Sequence, residues 1–115
     1  MGIQQPTMST SKYRNKKTEI DGILFDSKKE ANRYLVLKSL KEKGAIHNLQ
    51  IHVPYELIGK DELGQAIKYV ADFVYYQNGL LVVEDVKSPI TRKNPVYRLK
   101  KRMMYKEHKI IIKET

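Results

Sequence analysis

Residues 69–88 read Tyr69-Val-Ala-Asp72-Phe-Val-Tyr-Tyr-Gln-Asn78-Gly79-Leu-Leu-Val-Val-Glu84-Asp85-Val86-Lys87-Ser88. Asn-Gly between two runs rich in β-branched and aromatic residues signals a hairpin, because both residues tolerate the positive φ of a two-residue type I′ turn. With Asn78 and Gly79 as that turn, Gln77 pairs with Leu80, and counting outward sets Asp72 opposite Asp85. Directly opposed residues share a face with Cβ atoms about 4.5–5.5 Å apart. Lys87, two residues beyond Asp85, joins that face, whereas Glu84 points away from it, opposite Phe73. The same count gives Asp72 and Asp85 the neighbours Val70, Val74, Leu81 and Val83. Ala71, Phe73, Leu80, Val82 and Val86 fall on the other face, so both faces of the hairpin are expected to be covered.

Two carboxylates side by side repel unless a cation lies between them. Divalent-metal hydrolysis of a phosphodiester needs such a carboxylate pair, and a positive group to orient the attacking water or offset developing charge. Asp72, Asp85 and Lys87 supply those parts. The competing reading is a cross-strand charge network in which Asp85 and Lys87 neutralise each other.

Around this hairpin the chain reads as a helix, three strands, a helix and a strand. That order, αβββαβ, makes an α/β layered domain with a mixed central sheet. Residues 1–17 are expected to be a flexible basic tail and 18–115 a single domain. Thr18 to Phe25 suits a short hairpin about Asp21-Gly22. A helix over 28–43 has Ser27 as N-cap, Glu30 completing a Ser-x-x-Glu capping box, and Gly44 as its stop. Glu30 also falls on the stripe of Tyr34 and Leu37, so it is open to a second role as a carboxylate ligand. Ile46 to Ile58 is extended, and the hairpin strands cover about 66–76 and 80–87. Asn94 and Pro95 start a second helix to about residue 107, with Val96, Leu99 and Met103 as its inner stripe. Lys109 to Lys113 reads as a short buried strand. To lie parallel to a neighbour it would need a crossover through that helix.

The chain has 115 residues, a net charge of +9 and no cysteine. Disulfides and thiolate zinc sites are therefore excluded. No apolar run is long enough to span a membrane, and no secretory leader is expected. Nine basic residues against one acid, Glu107, lie between Lys87 and Lys109. Lys12, Arg14, Lys16 and Lys17 form a second basic run. A solvated surface is one reading; a phosphate-binding rim around an acidic centre is the other. On the second reading Arg92, Lys93, Arg98, Lys101 and Arg102 join the N-terminal run on nucleic-acid phosphates. Tyr97 and Tyr105 on the basic helix serve packing or base stacking. His47, His52 and His108 show no ligand spacing, and there is no nucleophile elbow and no glycine-rich phosphate loop.

Asp72, twelve intervening residues and then Asp85-Val86-Lys87 resemble the Asp…(Asp/Glu)-x-Lys signature of the PD-(D/E)XK nucleases. The order αβββαβ is similar to the core of that restriction-endonuclease-like fold. Lys12-Tyr-Arg-Asn-Lys-Lys-Thr-Glu19 and Asp21-Gly-Ile-Leu-Phe-Asp-Ser-Lys-Lys-Glu30-Ala31 further resemble a small phage and prophage family described as Holliday-junction-resolvase-like endonucleases. Ala71 stands where the signature usually has proline. The resemblance implies Glu30, Asp72 and Asp85 as ligands of Mg²⁺ or Mn²⁺, assisted by the Val86 carbonyl, with Lys87 acting on water or transition state. It implies branched DNA as substrate, a homodimer for paired cuts, and the cytoplasm of a bacterial host. The alternatives are a non-catalytic DNA-binding module that keeps the fold, and an accessory protein whose basic surface meets an acidic partner.

Overall fold

The computed structural model describes residues 16–115. Lys12 and Arg14 lie outside the described residues. The fold is of the α+β class, with a two-stranded and a four-stranded sheet. The chain divides into two units at the Val36–Leu37 boundary. No helix among the described residues is long and apolar enough to cross a membrane.

In the first unit β1 (Thr18–Ile20) and β2 (Ile23–Phe25) form the expected antiparallel hairpin. Its turn residues, Asp21 and Gly22, have φ of 55° and 77°. Helix α1 (Lys28–Glu42) begins here. The Ser27 hydroxyl caps it, accepting the Glu30 N–H at 3.1 Å. The other half of the capping box is shifted by one residue: the Glu30 carboxylate accepts the N–H of Asp26, at 3.2 Å, rather than that of the cap itself. Tyr34 ties the helix to the hairpin, its hydroxyl donating to Asp21 Oδ2 at 2.8 Å and its ring 5.1 Å from that of Phe25.

The second unit holds β3 (His47–Ile58), β4 (Ile67–Gln77), β5 (Leu80–Asp85), the short α2 (Pro89–Arg92), α3 (Pro95–His108) and β6 (Lys113–Glu114). The sheet order is β3-β4-β5-β6. The first three strands are an antiparallel meander, and β6 lies parallel to β5 after the crossover through α2 and α3. Asn78 and Gly79 have φ of 53° and 78°, so the expected turn forms and Gln77 pairs with Leu80. Asn94 caps α3 by accepting the Tyr97 N–H at 3.0 Å, with Pro95 at the first helical position.

Three expectations need correction. First, β4 does not keep one set of residues inward. Tyr69 and Ala71 enter the core with Val74, Val83, Tyr97, Met104 and Ile112, so strict alternation breaks between Ala71 and Val74. The break falls opposite a left-handed residue on the neighbouring strand. His52 has φ of 56°, between the pairs Ile51↔Phe73 and Val53↔Ala71. The register of the two strands is the same on both sides of that step. Val70 and Leu81 are exposed rather than neighbours of Asp72 and Asp85 in a covered face, and Leu80 at the hairpin tip is open to solvent as well.

Second, the inner stripe of α3 is not Val96, Leu99 and Met103. Val96 and Leu99 are exposed, whereas Tyr97 and Met104 are buried and Met103 half-buried. The inward row is Tyr97, Lys101 and Met104. Apolar count misplaced it because a lysine lays its stem along the core and carries its ammonium out; here the ammonium reaches Glu114 at 3.0 Å. Third, the final strand is shorter and later than Lys109–Lys113. Ile110 and Ile112 turn inward and Ile111 outward, but pairing with β5 is confined to Lys113 and Glu114.

Candidate active site

The hairpin pairs end at Phe73↔Glu84, one step before Asp72 and Asp85. There the side chain of Asp72 replaces the ladder, its Oδ2 accepting the Val86 N–H at 2.8 Å. On the other edge β6 grips the same segment. Asp85 O accepts the Thr115 N–H at 3.0 Å, and Lys87 N–H donates to Thr115 O at 2.9 Å. In an extended strand the N–H and C=O of one residue point to one edge, and those of the next residue to the other. The Val86 carbonyl therefore lies on the edge of its N–H, the edge of Asp72. Backbone bonds on both sides thus hold Asp85, Val86 and Lys87 in register.

Asp85 is 2% exposed. Its Oδ2 receives two donors, the Tyr69 hydroxyl at 2.8 Å and the Lys87 ammonium at 3.2 Å. Tyr69 reaches this oxygen because of the break in alternation along β4. Burial first, then the charge and hydrogen bond of Asp85, push the Tyr69 phenol far above its ordinary pKa, and Asp72 adds to the effect. The phenol therefore stays protonated and serves as a donor, and both carboxylates bear on it. A ring nitrogen of His52 lies within 4.8 Å of an Asp72 carboxylate oxygen.

Lys87 has a second support. Its ammonium sits 4.4 Å from the centroid of the Tyr97 ring. The Tyr97 hydroxyl donates to Glu114 Oε2 at 2.6 Å, and the Lys101 ammonium meets the same oxygen at 3.0 Å. Burial and this bond hold Tyr97 protonated at any working pH. Arg92 adds a longer contact to Glu114, at 3.8 Å. The hydrogen bond from Tyr97, followed by that from Lys101, holds the Glu114 carboxyl below the usual carboxylate range.

A depressed carboxyl stabilises the fold above its unfolded value, near 4.5, and that contribution disappears as pH falls through the folded value. The thermal midpoint of the wild type is thus expected to fall more steeply than that of Glu114→Gln between about pH 6 and about pH 3. Melting curves across that range check it; parallel profiles would refute the assignment.

The donors gathered here fit a hard divalent cation. Asp72 and Asp85 offer carboxylate oxygens and Val86 a carbonyl oxygen, the ligand types that Mg²⁺ and Mn²⁺ prefer. Two carboxylates against one ammonium also leave the cluster negative when its phenol is neutral. Glu30 belongs to the first unit, where it is buried and engaged with the Asp26 N–H.

Glu84, adjacent to Asp85, faces the other way, as the hairpin count predicts. It is fully buried, its Oε1 accepting from the Tyr75 hydroxyl at 2.6 Å and its Oε2 from the Thr115 hydroxyl at 3.1 Å. It is therefore an interior residue, not one at a strand edge. Tyr69, His52 and Glu114 were not legible as site residues, and Tyr97 was open to packing or base stacking but not to the support of Lys87. Tyr69 carries packing spacing, and the left-handed residue within β3 at His52 belongs to no turn motif.

Among the expected phosphate contacts, Lys16 and Lys17 are exposed in the first unit. Arg92, Lys93, Arg98 and Arg102 are exposed and Lys101 half-buried in the second, on or just before α3. No curated protein and no solved structure matches the chain. A family model does, over residues 10–114, and its description is "Protein of unknown function (DUF1064)". Covered over nearly its whole length, the chain belongs to that family.

Proposed function

We propose that this protein is a Mg²⁺- or Mn²⁺-dependent DNA endonuclease acting on branched DNA. The observation that carries the reading is the buried Asp85 carboxylate with Lys87 at 3.2 Å, beside an Asp72 carboxylate fastened to Val86. Bound there, the cation would supply Lewis-acid polarisation of the phosphate and a more acidic water. Asp72, Asp85 and the Val86 carbonyl would hold it. Lys87, steadied by the Tyr97 ring, would orient the attacking water or offset charge on the phosphate oxygens. Tyr69 would fix the Asp85 carboxylate in place by donating to it. The basic residues of α2 and α3 would hold backbone phosphates, so binding is expected to be strongly salt-dependent and indifferent to sequence. Glu30 as third ligand, the preference for branched DNA, the homodimer and the setting in a phage-infected or lysogenic bacterial cytoplasm rest on the resemblance.

The test is cleavage of a labelled four-way junction and a linear duplex with Mg²⁺, Mn²⁺ or EDTA. Lys87→Ala is expected to slow cleavage by roughly 10²–10³-fold, the usual cost of removing one charge-stabilising group, while leaving DNA binding largely intact. Binding without cutting under every metal would favour the other reading, a non-catalytic DNA-binding module, for which the exposed basic residues around α3 suffice.

A further inference from the structure

A cavity of about 400 Å³ opens beside α3, within the size range of small-ligand sites. Four cations line it: Arg92, Arg98, Lys101 and Arg102. Its one acidic lining residue, Glu114, already engages Lys101 and Arg92. Among the described residues Arg98 and Arg102 have no ion-pair partner. They stand one turn apart on α3, so their guanidinium groups can converge on one anion. Planar guanidinium forks suit phosphate oxygens.

The rest of the lining has another chemistry. Tyr105 is 54% and Ile111 77% exposed, although both are large and apolar. Tyr105 follows Arg102 by three residues and therefore lies on the same helix face. The ring also borders a second cavity, shared with Leu99 and Met103. The Lys109 ammonium, 5.5 Å from the centroid of the Tyr105 ring, accounts for one face of it. A solvated basic surface gives no reason for the remaining open face or for Ile111 among arginines. A nucleotide does, because its phosphate meets the guanidinium groups while its base finds an aromatic or apolar platform.

The cavity also has a fixed relation to Asp85. Glu114, in its lining, is the register partner of Asp85 on the neighbouring strand. Adjacent strands lie about 4.8 Å apart. We infer that this cavity is a binding site for an unpaired nucleotide, next to the phosphate that Asp85 and Lys87 address. Its identity as part of a DNA strand rests on the nuclease reading. A base within a duplex is stacked and cannot enter without being flipped out. A base at a junction, flap or single-stranded arm is already free, so the cavity gives branched DNA an advantage over linear duplex.

The test is binding in EDTA, which needs no catalysis. A labelled thymidine strand of about ten nucleotides, within the usual site sizes for single strands, is compared with a blunt duplex. Tyr105→Ala is expected to weaken binding of the single strand by roughly 5- to 100-fold and to leave duplex binding unchanged. Tyr105→Phe is expected to keep wild-type binding, because it retains the ring. Arg98→Gln with Arg102→Gln is expected to flatten the salt dependence by about 0.7 for each phosphate that the two arginines neutralise in the wild type. Wild-type single-strand affinity in Tyr105→Ala would overturn the inference, as would equal losses on both DNAs. Tyr105-dependent binding by a protein that cuts nothing would sink the nuclease reading and leave this site standing. Cleavage with Tyr105-independent binding would do the reverse.

Discussion

Asp85→Asn is expected to lower metal-dependent cleavage of every DNA substrate by about 10³-fold or more while the chain stays folded. The substitution preserves shape. Its amide oxygen still accepts from the Tyr69 hydroxyl, which now meets Asp85 Oδ2 at 2.8 Å. What disappears is the charge that would bind a cation and that now faces Lys87 at 3.2 Å. A second readout is independent of cutting. A cation at about 100 times its Kd stabilises the native state by about 2.7 kcal/mol, or on the order of 10 °C in Tm for a domain of this size. Wild type is expected to show that rise with Mg²⁺ or Mn²⁺, and Asp85→Asn to lose it. A variant that cuts like wild type would remove Asp85 from the site, whatever the protein does.

One residue earlier the expectation inverts. Glu84→Ala is expected to cost about 2–4 kcal/mol of stability and to lower Tm by roughly 10 °C. It leaves the fully buried Tyr75 hydroxyl and the partly buried Thr115 hydroxyl without their acceptor, and a void where the side chain stood. Glu84→Gln keeps the volume and one acceptor, so its cost falls to about 1 kcal/mol and its cleavage stays largely intact. Urea unfolding of both variants, with cleavage measured at matched folded fraction, checks the pair. A Glu84→Gln loss as deep as that of Asp85→Asn would mean that the two carboxylates serve one site, which the opposite facing of adjacent strand residues does not allow.

The parts of this molecule legible in its sequence are those fixed by local chemistry. Asn78-Gly79 determined the hairpin pairing, because few residues besides asparagine and glycine tolerate positive φ. Ser27 and Asn94 marked their helix starts through hydroxyl and amide acceptors for backbone N–H groups. The opposed facing of Glu84 and Asp85, and the contact between Asp85 and Lys87, followed from the hairpin alone. What escaped depended on neighbours distant in sequence. The break in β4 alternation opposite left-handed His52 puts Tyr69 on the face of Asp85, against the period-two count. Lys101 lies on the inward row of α3 because Glu114, thirteen residues on, receives its ammonium. Ile110 to Ile112 looked like a strand, but β5 offers pairing only to the two residues that follow them.

The turn at Asn78 and Gly79 also acts as a counter. Side chains alternate with a period of two, so a slip of one residue there turns each of the two carboxylates to the opposite face. With one residue deleted, Asp85 would take the buried place beside Tyr75, and Val86 the place of Asp85. A slip of two residues restores the facing but moves every pair two places along the strand. For this loop, the arithmetic of odd and even matters more than size: one deleted residue amounts to a double substitution in the interior, made without touching it.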